Sequence, residues 1–309
     1  MLKVVNMNIE DANQHLKLGD VMIRLNVLFH DADGCLNPID GHALSFEPGS
    51  LSSADVAALA ELGRCVDKSG LDHLVLNTGR SWIATRFLCH HIASKKLKYA
   101  LVEHGSALWD VLADREVNLA EVALESSHPR AHAALSSAKK INLLIRWFER
   151  VGSRELCRRM GYEGQLETAL DKTSNLTFFL PPELDGDVVV LTLKELIASH
   201  EVFGSETLVY HHSRWNRFVD VMGTMDKGIG LSITMDYPGF KVEQAAAIGD
   251  GLNDIPMLQT AAFPICPANA EDEVKQLCRD RGYVSSSSYI GASLDWLAKY
   301  GGMRNSLNP

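Results

Sequence analysis

Apolar residues in this chain gather in short continuous runs that stop abruptly at polar, glycine-containing stretches, and between the runs they recur at helical spacing. Val21 to Phe29 is mostly apolar and ends in acidic residues and Gly34, the pattern of a buried strand with a functional loop at its carboxyl end. Val56, Leu59, Leu62 and Val66 follow at helical spacing within Ser53 to Ser69, with Ser52 or Ser53 as N-cap. Leu71 to Leu76 predicts a second strand, Trp82 to Ile92 a helix, and Tyr99 to Val102 a third short strand. Strand and helix in alternation predict a parallel sheet covered on both faces.

The middle of the chain changes character. From about Asp114 to Arg214 the pattern predicts long helices, then strands at Asn175 to Leu180 and Val188 to Leu191, a helix near Leu193 to Ser199 and a strand at Thr207 to His211. The earlier rhythm then resumes, with a strand at Phe218 to Met222, a helix at Asp226 to Met235, a strand at Ala245 to Ile248 and a helix from Ile255 to Thr260. The expected fold is α/β: a doubly wound, Rossmann-like parallel-sheet core (1–113 and 215–309) interrupted by an inserted α/β cap (114–214). Ser285 to Ser288 predicts a loop.

Composition narrows the functions. The 309 residues, 46% of them hydrophobic, can bury a sizeable core. A net charge of -9 argues against a general nucleic-acid binder, which needs a basic face, but leaves a small anionic ligand open. Six scattered cysteines without a Cys-x-x-Cys pair suggest reduced thiols in a cytoplasmic protein. No signal peptide is visible at the N-terminus, and no apolar run approaches the roughly 20 residues of a membrane helix. Nothing bears on oligomeric state.

Four segments carry chemistry. In Phe29-His30-Asp31-Ala32-Asp33-Gly34-Cys35-Leu36, two carboxylates two residues apart share one side of an extended tip. One can attack phosphorus while the other exchanges a proton with the leaving oxygen. A calcium loop is the bland alternative, but Asn37 and Pro38 do not continue its acidic pattern. In Leu76-Asn77-Thr78-Gly79-Arg80, a hydroxyl at a strand end can bond a phosphate oxygen, or simply cap the next helix. Lys227, before Gly228, can balance charge between nucleophile and phosphate, although a lone lysine is usually a surface group. In Ile248-Gly249-Asp250-Gly251-Leu252-Asn253-Asp254, acids flanking a glycine turn suit magnesium, or only a capped turn.

In this order, the four segments resemble the motifs of the haloacid dehalogenase-type phosphohydrolases, over about two thirds of the chain. The long insert resembles the larger α/β cap of the branch that includes sugar-phosphate phosphatases. The resemblance implies a magnesium-dependent phosphomonoesterase acting on a small, sugar-like phosphorylated metabolite. By similarity, Asp31 is the nucleophile that becomes an aspartyl phosphate, and Asp33 the general acid and then general base. Thr78 and Lys227 hold the phosphoryl group, with Gly79, Arg80 and Asn253 lining the substrate. Asp250 binds magnesium with Asp31 and the backbone carbonyl of Asp33, and Asn253 and Asp254 complete the metal surroundings. Cys35 stands where the family usually has threonine, and His104-Gly105 where Asn-Gly is common. Phe263 to Ala270 resembles the stretch after the fourth motif, where an asparagine-alanine turn, here Asn269-Ala270, is structural. A phosphomutase on the same scaffold and a catalytically silent phosphate-binding protein are the alternatives.

Outside these motifs, Arg146, Arg150, Arg154 and Arg158 recur every four residues, which predicts a basic stripe if Gly152 does not break the helix, most simply a solvated face with Glu149 and Glu155. His128 and His132 have metal-like spacing, but Pro129 interrupts them. His211, His212 and Arg214 lie where the cap should rejoin the core, and on a strand at most one of the two histidines can face a substrate.

Overall fold

The computed structural model describes residues 17–18, 21–22, 25–36, 51–126, 128–169, 171–204, 207–213, 218–237 and 241–305. Asn37, Pro38 and Arg214 lie outside them, as do residues 23–24 of the first expected strand. Among the described residues a small antiparallel pair comes first, β1 (Lys17–Leu18) and β2 (Val21–Met22), and the second half of the expected first strand enters the main sheet, as β3 (Val27–His30). Then come α1 (Ser53–Lys68), β4 (His73–Asn77), α2 (Trp82–Ile92), β5 (Leu97–Val102), β6 (Ala107–Asp110) and β7 (Arg115–Val117). Ser52 caps α1: its side chain accepts from the Asp55 N–H while the Asp55 carboxylate accepts from the Ser52 N–H.

Three helices follow: α3 (Leu119–Glu125), α4 (Ala131–Trp147) and α5 (Ser153–Met160). A second layer is built from β8 (Glu167–Thr168), β9 (Asn175–Phe179), α6 (Gly186–Ala198), β10 (Val209–Ser213) and β11 (Phe218–Met222). The chain returns through α7 (Lys227–Asp236), β12 (Ala245–Ile248), α8 (Ile255–Thr260), β13 (Phe263–Cys266), α9 (Asp272–Arg281), β14 (Tyr283–Val284) and α10 (Ile290–Asn305).

The main sheet runs β14-β13-β12-β3-β4-β5-β6-β7, parallel except at β6 and β7. Alternation along its strands splits the side chains. Leu28, Leu74, Leu76, Ala246 and Ile248 pack with residues of α1, α2 and α10. Val27, Phe29, Val75, Ala245 and Ala247 pack with residues of α3, α4 and α7 to α9. The sheet is therefore covered on both faces, which is why its central strands are apolar except at their ends, His30, His73 and Asn77.

The second sheet, β10-β11-β9-β8, is antiparallel and has its own apolar layer, including Phe148, Leu156, Phe178, Val189, Leu193, Val219 and Val221. The helix α4 belongs to both units: Ala131, Ala134, Leu135 and Ala138 face the main core, while Ile141, Leu144 and Ile145 face the second.

Two expectations are corrected here. Phe218–Met222 is a strand, but it pairs with β9 and β10 and is not part of the main sheet. Val188 to Leu191 is not a strand but lies within α6. Its run of β-branched residues suits a strand, yet Asp185 caps the amides of Asp187 and Val188, and Val189, Leu193, Leu196 and Ile197 are buried at helical spacing. Among the described residues, no helix is long and apolar enough to cross a membrane.

Helices α1 and α2 meet at Gly63, where an added Cβ would lie 1.9 Å from the Ile92 carbonyl oxygen. Gly63→Ala should gain about 1 kcal/mol of helix propensity but lose about 1–3 kcal/mol to overpacking against backbone. The expected outcome is a net fall in the urea midpoint; an unchanged or higher midpoint would rule out so close a helix contact.

Candidate active site

Strand order reverses between β3 and β12: chain-consecutive β4 and β5 lie to one side of the pair, β13 and β14 to the other. At such a switch point the loops after the two strands diverge and open a crevice at their carboxyl ends. Asp31 follows β3 and Asp250 follows β12. The Asp31 N–H donates to the Ile248 carbonyl at 3.0 Å, joining the two loops. They close further at Gly34, with φ 74°. A Cβ there would fall 1.9 Å from Asp250 Oδ2, so glycine is required for both conformation and space.

Supports reach this loop from the far end of the chain. His30 is fully buried, and burial holds its imidazole down at about 4, hence neutral near pH 7. Its Nδ1–H donates to the Asp31 carbonyl at 2.6 Å, which leaves Nε2 to accept from the Ser293 hydroxyl at 2.6 Å. Asn269 donates to the Gly34 carbonyl at 3.0 Å and accepts from the Tyr289 N–H at 2.8 Å.

Lys227 opens α7 and is 1% exposed. An ammonium at a helix N-terminus opposes the helix dipole, so partners must hold it. Its Nζ donates to Asp31 Oδ1 and to Asp254 Oδ1, each at 2.5 Å. Burial alone would lower its pKa, but Asp254 and Asp31 raise it, so it stays charged. The carboxylates fare differently. Burial, with Asp254 next, pushes Asp31 up to about 8 against the pull of Lys227. Burial, then Asp254 and Asp31, push Asp250 well above the carboxylate range. Three acids gathered about one ammonium leave excess negative charge that a cation would neutralise.

The donor set fits such a cation. Ligand atoms of Asp31, Cys35 and Asp250 all lie within 4.8 Å of one another. Two carboxylates from separate loops suit a hard divalent ion such as magnesium. Burial, then Asp250, raise the Cys35 pKa, so it remains a thiol, and its Sγ donates to Asp250 Oδ1 at 3.6 Å. In the place where threonine is usual it is still a donor, though a weaker one. Asp254 is not in this cluster. Besides Lys227, it accepts from the N–H groups of Asp250 and Gly251, each at 3.0 Å, and so shapes the loop. The Asn253 carboxamide oxygen folds back to 2.6 Å from where a Gly251 Cβ would stand.

Asp33 is held by a two-pronged ion pair with Arg80, Nε to Oδ2 at 2.8 Å and Nη2 to Oδ1. Burial would raise the Asp33 pKa, but Arg80 outweighs it and lowers it. Arg80 thus stands against the expected general acid. Thr78 is fully buried, and its hydroxyl accepts from the Arg80 N–H at 3.2 Å. Asn77 donates to the Lys227 carbonyl at 3.0 Å, tying the second segment to the third.

The second sheet contributes residues that motif reading missed. Asp220 on β11 is 1% exposed and accepts from Thr177, from Asn175 Nδ2 at 3.2 Å and from His104 Nε2 at 3.2 Å. Lys172 Nζ lies 3.7 Å from it and donates to Thr177 at 2.8 Å. Burial would raise the Asp220 pKa, yet Lys172 and His104 hold it well below the usual carboxylate range. An acid between Val219 and Val221 in an apolar strand was the available signal. His211 sits opposite Asp220 in register, with Nδ1 buried and without a hydrogen-bond partner, while His212 turns to Asp187 at 3.0 Å. Glu103, His104 and Gly105 all have positive φ (50°, 59° and 89°). For the first two, which carry a Cβ, that conformation costs about 1–2 kcal/mol each.

The arginine stripe lies elsewhere. A π-helical turn (Phe148–Gly152) carries α4 into α5, and Arg150, Arg154 and Arg158 line an outer groove of about 440 Å³. Arg158 pairs there with Glu155.

The chain resembles known proteins in part of its sequence and in its fold. Residues 193–286, which contain Lys227 and the Asp250 loop, match the family described as haloacid dehalogenase-like hydrolase. That segment, under a third of the chain, is similar to the haloacid dehalogenase-like hydrolases. The chain is 41% identical over 64 residues to a phosphoglycolate phosphatase of Thermoplasma volcanium, a match spanning 21% of this chain and 27% of that protein. It is 25% identical over 205 residues to the 5-amino-6-(5-phospho-D-ribitylamino)uracil phosphatase YcsE of Bacillus subtilis, covering 66% of this chain and 73% of the relative. The sucrose-phosphatase of Synechocystis sp. PCC6803, solved with sucrose and phosphate, superposes with a TM-score of 0.59 over 90% of this chain and 98% of its own, at 20% identity.

Gly34→Ala should push Asp250 out of the cluster. We expect magnesium affinity, read by calorimetric titration, to fall at least tenfold, or about 1.4 kcal/mol, with the fold retained by circular dichroism. Undiminished affinity would remove Asp250 from the cation site.

Proposed function

We propose that the chain is a magnesium-dependent phosphomonoesterase that hydrolyses a small, sugar-like phosphate through an aspartyl phosphate on Asp31. The observation that carries this reading is the buried carboxylate of Asp31, 2.5 Å from Lys227 Nζ and clustered with Asp250 at the switch point. A carboxylate between two positive charges can approach an anionic phosphoryl group that would otherwise repel it.

In this reading an Asp31 oxygen attacks phosphorus and the ester P–O bond breaks. The leaving oxygen takes a proton from Asp33. Arg80 must first release Asp33, and the phosphoryl oxygens of the substrate are the natural competitor for its guanidinium. Water then attacks phosphorus, Asp33 takes its proton, and the bond to Asp31 breaks, restoring the carboxylate. Asp31 and Asp250, with the Asp33 carbonyl, would hold the magnesium ion, which supplies charge neutralisation and phosphoryl orientation when bound. Lys227 and Thr78 hold the phosphoryl oxygens; Asp254 keeps Lys227 and the Asp250 loop in place. The second sheet, β11 included, serves as the cap that excludes water and chooses the leaving group. The named relatives act on small phosphate esters, which supports the substrate class.

The test is phosphate release from a panel of sugar phosphates, phosphoglycolate and nucleotides, with magnesium and with chelator. Asp31→Asn should lose at least ~10³-fold in kcat, the scale for removing a nucleophile, while keeping its fold; retained turnover would reassign the nucleophile. Release only to a second hydroxyl, dependent on a bisphosphate, would make the chain a mutase.

Asp33→Asn separates the proton-transfer role. Alkyl phosphates, whose leaving oxygen needs a proton, should slow ~10²–10⁴-fold, and activated aryl phosphates distinctly less in their first step. Equal losses would exclude Asp33 as the acid of that step.

A further inference from the structure

The loop after β5 joins the phosphate loop to the second sheet. On the core side its backbone is stitched to residues 78–80: the Glu103 N–H donates to the Arg80 carbonyl at 2.9 Å and the His104 N–H to the Thr78 carbonyl at 3.0 Å. The His104 ring also covers Gly79, where a Cβ would stand 2.5 Å from its Cε1. Toward the second unit both side chains reach out. The Glu103 carboxylate accepts from the Thr173 N–H at 2.8 Å and the Ser174 N–H at 2.5 Å, and His104 donates to Asp220 at 3.2 Å. Beside them, the Ser81 hydroxyl donates to Asp171. Both side chains are only 4% exposed, and both residues hold left-handed backbone that only surrounding contacts can maintain.

These four contacts from the second unit end on Ser81, the residue after the phosphate loop, or on the two residues bonded to that loop. Segment 171–174 also carries Lys172, whose ammonium is among the charges that lower the Asp33 pKa. We propose that Glu103 and His104 are positioning residues forming a latch, so that phosphoryl binding at 78–80 and closure of the second sheet reinforce one another. The proposal rests on residues 78–80 being the phosphoryl site of the proposed reaction. Coupling of this kind is reciprocal: whatever orders the phosphate loop orders 171–174, and loosening the latch weakens phosphate binding.

Amide hydrogen exchange with inorganic phosphate and magnesium as probe tests this on the full chain. In the wild type, phosphate should slow exchange at Thr173 and Ser174 by on the order of tenfold. In Glu103→Ala and in His104→Ala, exchange there should be fast with or without phosphate, and phosphate affinity should fall by about the same factor, while the amides of β12 keep their protection. Glu103→Gln and His104→Asn, which keep an acceptor and a donor, should restore part of the phosphate response; asparagine also tolerates left-handed backbone. If an alanine variant loses protection in β12 and so fails to fold, Glu103→Gln carries the comparison, with a severalfold weaker response expected and an unchanged one overturning the latch. Phosphate protection that persists in folded alanine variants, or is absent in the wild type, also overturns it. Protection without turnover of any phosphate ester would overturn the phosphatase reading and leave the latch standing.

Discussion

The ammonium of Lys227, shared between Asp31 and Asp254, is the contact on which the rest of the site depends. A buried charge is tolerable only when paired, and breaking a buried pair leaves the remaining charge uncompensated. Here one ammonium serves acids from two loops, and Asp254 also accepts from the amides of the Asp250 loop. The lysine therefore sets where the ends of β3 and β12 and the start of α7 lie relative to one another. Its charge does not match that of the acids around it, and this mismatch adds to burial, the larger cause, in raising the affinity of Asp31 and Asp250 for protons. The same mismatch is an attraction for a divalent cation.

Around this centre the supports are arranged by distance in sequence. His30, held by Ser293 of α10, fixes the backbone of Asp31, and Asn269 fixes the turn at Gly34. Asn77 ties the end of β4 to the start of α7. None of these groups needs to touch a substrate. They hold short loops whose own backbone bonds are too few to define one conformation.

The second unit joins this frame through polar contacts at its inner edge and through the shared helix α4. A helix with one end in each core makes a large independent rotation of the second unit costly, whereas the hydrogen bonds from Glu103, His104 and Ser81 can open individually. Arg80, paired to Asp33, stands at the boundary between the two units' contributions.

By itself, the chain's residue order determined the doubly wound core and the positions of the loops that gather at its switch point. Apolar runs ending in Asp31, Thr78 and Asp250 are local signals, since a strand buried on both faces cannot carry polar residues until its tip. The helices at Trp82–Ile92 and Ile255–Thr260 were legible for the same reason. Only the tertiary structure decided where Phe218–Met222 pairs, because a strand's sheet depends on partners its own residues do not name. It also decided that Val188 to Leu191 is helical, where a cap and a buried face outweigh β-branched preference. Asp220, Glu103 and His104 acquire meaning from residues distant in sequence: Asp220 meets His104 116 positions away and Thr177 43 positions away, and Glu103 meets Thr173 70 positions away. Asp254 is read from sequence as a metal-side acid, but the fold directs it to Lys227 and to two backbone amides. Electrostatic partnership in a buried site is a property of distance in space, which spacing along the chain does not encode.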